Sequence, residues 1–144
     1  MRKFFFNELI RRLRTSESKI WLTTPYFVPK RKLIRCLAQA ARRGVDVTVL
    51  ISQKSDVPFF RTLQYFYYGY LLKNNVKIYH YTNTILHAKN YIIDDWITIG
   101  SSNLNHRSFL HDLEVDLIIL SDENKKKVEA HFQSSLVQEN KITQ

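Results

Sequence analysis

One cysteine in 144 residues excludes an internal disulfide framework, and Cys36, set in a basic amphipathic stretch, reads as a small packing residue. Long apolar runs are missing as well. None approaches the roughly 20 residues of a bilayer span, and Phe4-Phe5-Phe6 falls short of the about 7–15 residues of a signal-peptide core. The chain is therefore expected to be cytoplasmic, soluble or peripherally associated with a membrane, in a reducing compartment. Repeats, low-complexity linkers and internal boundaries are also lacking, so a single domain over 1–144 is expected, with its core at about 5–136 and a frayed tail over 137–144. His80, His106, His111 and His131 lack the spacing of a zinc site, so neither metal nor other cofactor is expected.

Acidic residues are scarce where the chain begins. Residues 1–43 hold twelve Lys/Arg against only Glu8 and Glu17, whereas residues 121–144 hold four of each sign. The net charge of +9 is thus an N-terminal property, and it favours an anionic partner: a phospholipid membrane surface or a nucleic acid backbone. A solvated basic helix face would give the same count. With 44% hydrophobic residues, the chain can still bury a core without staples.

Alternating patterns supply the architecture. Phe5, Phe6, Leu9, Ile10 and Leu13 share one helical face over 3–14, opposite Arg11, Arg12 and Arg14. Lys19–Thr24 reads as a buried strand stopped by Pro25, 31–43 as a helix capped by Gly44, and 45–51 as a β-branched strand. An aromatic-rich helix over 57–73, a strand over 76–81, paired strands over about 87–94 and 96–100, an irregular stretch through Arg107, a strand over about 114–120 and a closing helix over 122–136 follow. This order predicts an α/β fold with a mixed central sheet flanked by helices on both faces.

The chemistry concentrates in His87-Ala88-Lys89, with Asp94 and Gly100-Ser101-Ser102-Asn103 behind it. On a strand, side chains two apart share a face, so His87 and Lys89 are expected to converge on one small anionic group. Reaction at a phosphodiester needs a nucleophile, charge stabilisation at the non-bridging oxygens and an acid for the leaving alcohol. His87 is the candidate nucleophile and Lys89 the electrostatic clamp. Asn103 and Ser101 can donate an amide N–H and a hydroxyl to the same oxygens. Asp94 is expected to order the loop rather than meet substrate. A nucleophilic imidazole also needs an acceptor on its second nitrogen, for which Glu114 and Asp116 are candidates.

This run closely resembles the HKD signature of the phospholipase D superfamily. The likeness continues through Thr23-Thr24-Pro25-Tyr26-Phe27-Val28-Pro29, Ala40-Ala41-Arg42-Arg43-Gly44-Val45-Asp46-Val47, Ser55-Asp56-Val57-Pro58 and Ile78-Tyr79-His80-Tyr81, which look like the second half of bacterial cardiolipin synthases. What the resemblance implies is a single phospholipase D-like domain that transfers a phosphatidyl group through a phosphohistidine, without a metal. Glu114 stands where the superfamily places the residue that orients the motif histidine. Relatives of this kind carry two such motifs per site, and this chain has one, which implies a homodimer or a partner supplying the second. A single-motif endonuclease or phosphodiesterase acting on nucleic acid, and an inactive half, are the competing readings. Three positions depart from the pattern: the spacer from Asp94 to Gly100 is one residue short, Asp112 replaces a common Asn, and Asn75 replaces a common Gly.

Overall fold

Side-chain parity along the strands decides which helix each face meets. A computed structural model describes residues 2–53, 58–82, 84–104, 114–137 and 140–143, apart from the side chains of 2–3, 58–64, 137 and 140. Its strands are β1 (Lys19–Thr24), β2 (Asp46–Ser52), β3 (Lys77–Tyr81), β4 (Asn90–Ile93), β5 (Trp96–Gly100), β6 (Asp116–Ile119) and β7 (Asn140–Lys141). Its helices are α1 (Arg2–Thr15), α2 (Arg31–Arg42), α3 (Pro58–Leu72) and α4 (Asp122–Val137). The sheet order is β6-β5-β4-β1-β2-β3-β7, with β1, β2 and β3 parallel and the other pairings antiparallel. The mixed, doubly covered sheet read from the sequence is the one observed.

Ile20, Leu22, Val47, Val49, Ile51, Ile78, Tyr91 and Ile93 project to one face, where they meet Leu9, Leu13, Leu33, Leu37 and Leu71 of α1, α2 and α3. Cys36 lies in this cluster, 1% exposed, as a packing residue. The alternate residues Trp21, Leu50, Ile92 and Ile97 meet Phe132 of α4 on the other face, where the Trp21 and Phe132 rings stack at 5.3 Å. Lys19 fixes α4 further through a 2.7 Å ion pair with Glu129. Among the described residues three turns hold a left-handed residue: Gly44 after α2 at φ 91°, Asn75 before β3 at φ 63° and Asp94 after β4 at φ 50°. Asn is among the few side chains that tolerate that region, so the departure at 75 is mild.

Two expectations require correction. Residues 140–142 do not fray: β7 pairs with Tyr79 and His80, the Ile142 N–H donates to the Ile78 carbonyl at 2.9 Å, and Ile142 packs on the core. A two-residue Asn-Lys strand carries no propensity signal, and one half-buried isoleucine packed on the core anchors it. The strand expected over 87–94 is only Asn90–Ile93. The part of the irregular segment over 105–107, and Asp56, His106, His111 and Asp112, lie outside the described residues.

Asp94 fastens the far end of β4. It occupies the turn into β5 at φ 50°, and its carboxylate accepts the backbone N–H groups of Glu17, Ser18 and Lys19 at 2.9–3.0 Å and the Ser18 hydroxyl at 2.8 Å. Burial would raise its pKa, but these hydrogen bonds outweigh burial and hold it below the usual value. A carboxyl with a depressed folded pKa stabilises above its unfolded pKa and loses that contribution as pH falls through the folded value. Asp94→Asn, which also tolerates positive φ, is expected to cost about 1–3 kcal/mol at neutral pH. The deficit should shrink on acidification below about pH 4, as urea unfolding across pH would show; a pH-independent deficit would mean the charge is irrelevant.

Candidate functional site

Sheet pairing decides where His87 and Lys89 lie. After β3, the chain crosses the ends of the parallel strands, and the Leu86 N–H donates to Ser52 Oγ at the end of β2, 3.2 Å away. Pairing with β1 begins only at Asn90, opposite Thr23. Beyond Thr24 comes Pro25, which has no N–H for a ladder. On the other side β5 ends at Gly100, whose N–H donates to the Lys89 carbonyl at 3.1 Å. His87-Ala88-Lys89 therefore precedes the strand, and alternation along a regular strand does not aim the two side chains. His87 is exposed, whereas Lys89 is 5% exposed.

Lys89 is a desolvated cation. Its Nζ donates to the His87 carbonyl at 2.7 Å, and among the described residues no carboxylate lies within ion-pair distance. Burial pushes its pKa down, and the negative charge of Glu114 partly opposes the shift. An ammonium held out of water with so little compensation favours an incoming anion. The His87 imidazole makes no hydrogen bond to Glu114 or to any other described residue.

The Gly100–Asn103 segment is held by a network that the sequence reading passed over. Ser101 bonds the edge: its N–H donates to the Val115 carbonyl at 3.0 Å and its Oγ accepts the Val115 N–H at 2.9 Å. Asp116 stands opposite Gly100 and accepts from the Ser102 N–H at 3.3 Å and from the Ser102 hydroxyl. The fully buried Tyr91 donates its phenol to the Ser102 carbonyl. Burial first, and then the charges of Asp116 and Glu114, drive the Tyr91 pKa well upward, so it remains a donor. Asn103 is half-buried, and its Oδ1, like that of Asn90, is enclosed without a donor.

The fold thus brings Lys89, Ser101, Asn103 and Glu114 to one corner of the sheet, with His87 on its open side. Asp94 is not there; it lies at the opposite end of β4, bound to residues 17–19. Tyr91 is fully buried on the face of β4 that meets the first three helices, and its hydroxyl reaches the site from there. The pairing of Asp116 with Gly100 carried no sequence signal, because it depends on cross-strand register.

A Cβ on Gly100 would overlap the Asp116 carboxylate and the Val115 carbonyl. Gly100→Ala and Asp116→Asn are each expected to cost about 1–3 kcal/mol in urea unfolding. Because both act on one contact, the double variant should lose less than the sum; additive losses would show two independent contacts.

Comparison with known proteins gives the chain a family and a fold. The family model described as "Cardiolipin synthase, PLD-like domain" matches residues 9–136. The cardiolipin synthase of Staphylococcus aureus (strain Mu50) is 33% identical over 135 residues, 93% of this chain and 27% of the relative. The chain therefore spans about a quarter of that relative's length. Among solved structures, the phospholipase D family member Nuc from Salmonella typhimurium superposes with a TM-score of 0.83 at 18% identity, covering 96% of this chain and 91% of Nuc. The phosphatidylserine synthase of Haemophilus influenzae gives 0.73 at 18% identity, covering 96% of this chain and 37% of that one. With the family model spanning α1 to α4, the chain belongs to the PLD-like domain family of cardiolipin synthases.

Proposed function

We propose that this chain supplies half of a phosphatidyl-transfer site acting on anionic phospholipid. The observation that carries the reading is the buried, undercompensated Lys89 beside the exposed His87. One ring nitrogen of His87 attacks the phosphorus of a phospholipid diester. The new P–N bond forms as the P–O bond to the headgroup alcohol breaks, and that alcohol leaves with a proton from an acid. In the second step an acceptor alcohol gives its proton to the now deprotonated acid and attacks the phosphorus, and the P–N bond breaks to release His87; a glycerol-bearing lipid acceptor would give cardiolipin. Lys89, Ser101 and Asn103 stabilise the phosphoryl oxygens, and Glu114, near Lys89 at the same corner, is the carboxylate that would turn to His87 and set the imidazole tautomer. The step does not draw on a metal.

The leaving-group acid is a second His87, in a second copy of this chain. A seat for that copy is available on the sheet edge. Val115, Leu117, Ile118 and Leu120 are 56–82% exposed, with Ile99 at 40% beside them, and the outer rim of β6 has no strand partner among the described residues. An apolar unpaired edge is an association surface, and this one runs directly into Glu114 and Asp116. A half of a longer polypeptide could occupy the same seat. The basic N-terminal third supports a second reading, a phosphodiesterase acting on nucleic acid.

Assays on phosphatidylglycerol vesicles and on plasmid DNA, with products identified by mass spectrometry, test both. Turnover of lipid, with a phosphatidyl adduct on His87 and none in His87→Ala, is expected; turnover of DNA alone overturns the lipid reading. Lys89→Met should lose activity while keeping or raising the melting temperature, since an apolar side chain replaces a buried charge. Leu117→Lys should convert a dimer to an inactive monomer by light scattering, and an active monomer would overturn the shared site.

A further inference from the structure

We infer that the end of the sheet where the site opens is also a docking face for an anionic lipid bilayer, formed by the first turns of α1 and α2 and the segment 84–87. This rests on the phospholipid reading above and adds how the domain stands on its substrate. Three elements separated in sequence meet there. α2 begins just beyond the C-terminal end of β1, and Lys30 Nζ lies 5.2 Å from the Phe6 ring, which places the first turn of α1 beside it. The segment before β4 reaches the same end through the Leu86–Ser52 hydrogen bond.

Two large apolar side chains stand out of this end, Phe4 at 75% and Ile85 at 63% exposure. At the same end, Lys30, Arg31 and Lys32 crowd the start of α2, with Arg35 one turn on. Among the described residues, Arg31, Lys32 and Arg35 have no carboxylate partner. The arrangement is unfavourable in isolation: the first turn of α2 holds no acid, Lys30 makes no side-chain cap, and three cations face the positive end of the helix dipole. A negatively charged surface relieves that repulsion. Glu17, Asp46, Asp94 and Asp95 lie at the opposite end of the parallel strands, and Glu8, one turn after Phe4 on α1, is paired with Arg11 and Arg12. Glu114 and Asp116 are on the site end, but Asp116 is committed to Ser102.

Apolar tips and cations at one end of the sheet match the headgroup boundary, where side chains insert and Lys/Arg meet anionic lipid. A nucleic acid would suit the cations equally, but Ile85 has no π face on which a base could stack. Docked this way, exposed His87 faces the lipid.

Flotation with vesicles tests the assignment. The intact chain should float with phosphatidylcholine vesicles containing about a third phosphatidylglycerol, and not with phosphatidylcholine alone. Arg31→Gln with Lys32→Gln should weaken partitioning about thirtyfold and flatten its salt dependence. Phe4→Ser with Ile85→Ser should weaken it about tenfold or more at every salt concentration. Lys126→Gln, an exposed cation on α4 outside the face, should float like the parent. Because the four altered positions are exposed, unchanged melting curves would verify that the variants fold. Variants that float like the parent, or a parent that leaves vesicles for plasmid DNA in a competition, would overturn the docking face. Rim-dependent flotation without lipid turnover would uphold the face while removing the proposed reaction.

Discussion

The point at which sheet pairing stops governs the rest of the site. β4 is a central strand, flanked by β1 and β5, and a central strand persists only while both neighbours supply hydrogen bonds. Pro25 ends the supply on one side, and the turn at Gly100 ends it on the other. The backbone at His87–Lys89 is consequently released from the ladder while still tethered one residue from it, through the Gly100–Lys89 bond. That tether fixes Lys89 in the protein and leaves His87 outside. A longer β1 would draw the segment into the sheet and bury the imidazole between flanking strands.

The corner so formed trades stability for chemistry in several places at once. Lys89 is buried with little compensation, two Asn acceptors are enclosed without donors, and β6 exposes apolar side chains. Each is unfavourable in an isolated chain. The opposite end of the sheet shows how satisfied groups look in this fold: Asp94 accepts four hydrogen bonds and closes the turn completely. Rigidity at the corner comes from Tyr91, Ser102 and Asp116, which hold the Gly100–Asn103 segment from beneath.

Local patterns made most of the fold legible. Lys19–Thr24 and Trp96–Gly100 are β-branched or aromatic runs bounded by Pro25 and Asp95, so their limits are written locally. The start of β4 was not, since an apolar run says nothing about where its neighbours end. Nor was β7, whose pairing follows from Ile142 reaching the core. At the site, residue types and spacing singled out His87, Lys89, Ser101 and Asn103, and the family resemblance chose Glu114 over Asp116. What spacing could not convey was that Asp94 works at the other end of β4, and that Asp116 shares Gly100's space. Both facts belong to register, which is a property of two strands together.

The placement of incompleteness argues that the corner functions against something else. Unsatisfied groups scattered at random would only weaken a domain of this size. Here the desolvated cation, the apolar edge and the cationic rim with its protruding Phe4 and Ile85 all lie at or beside one end of the sheet. They call for different complements: an anion for Lys89, an apolar sheet edge for β6 and an anionic surface for the start of α2. A phosphate group alone would satisfy only the first. A second half seated on β6, over a phospholipid surface, meets all three together, and the open side of His87 is where those complements converge.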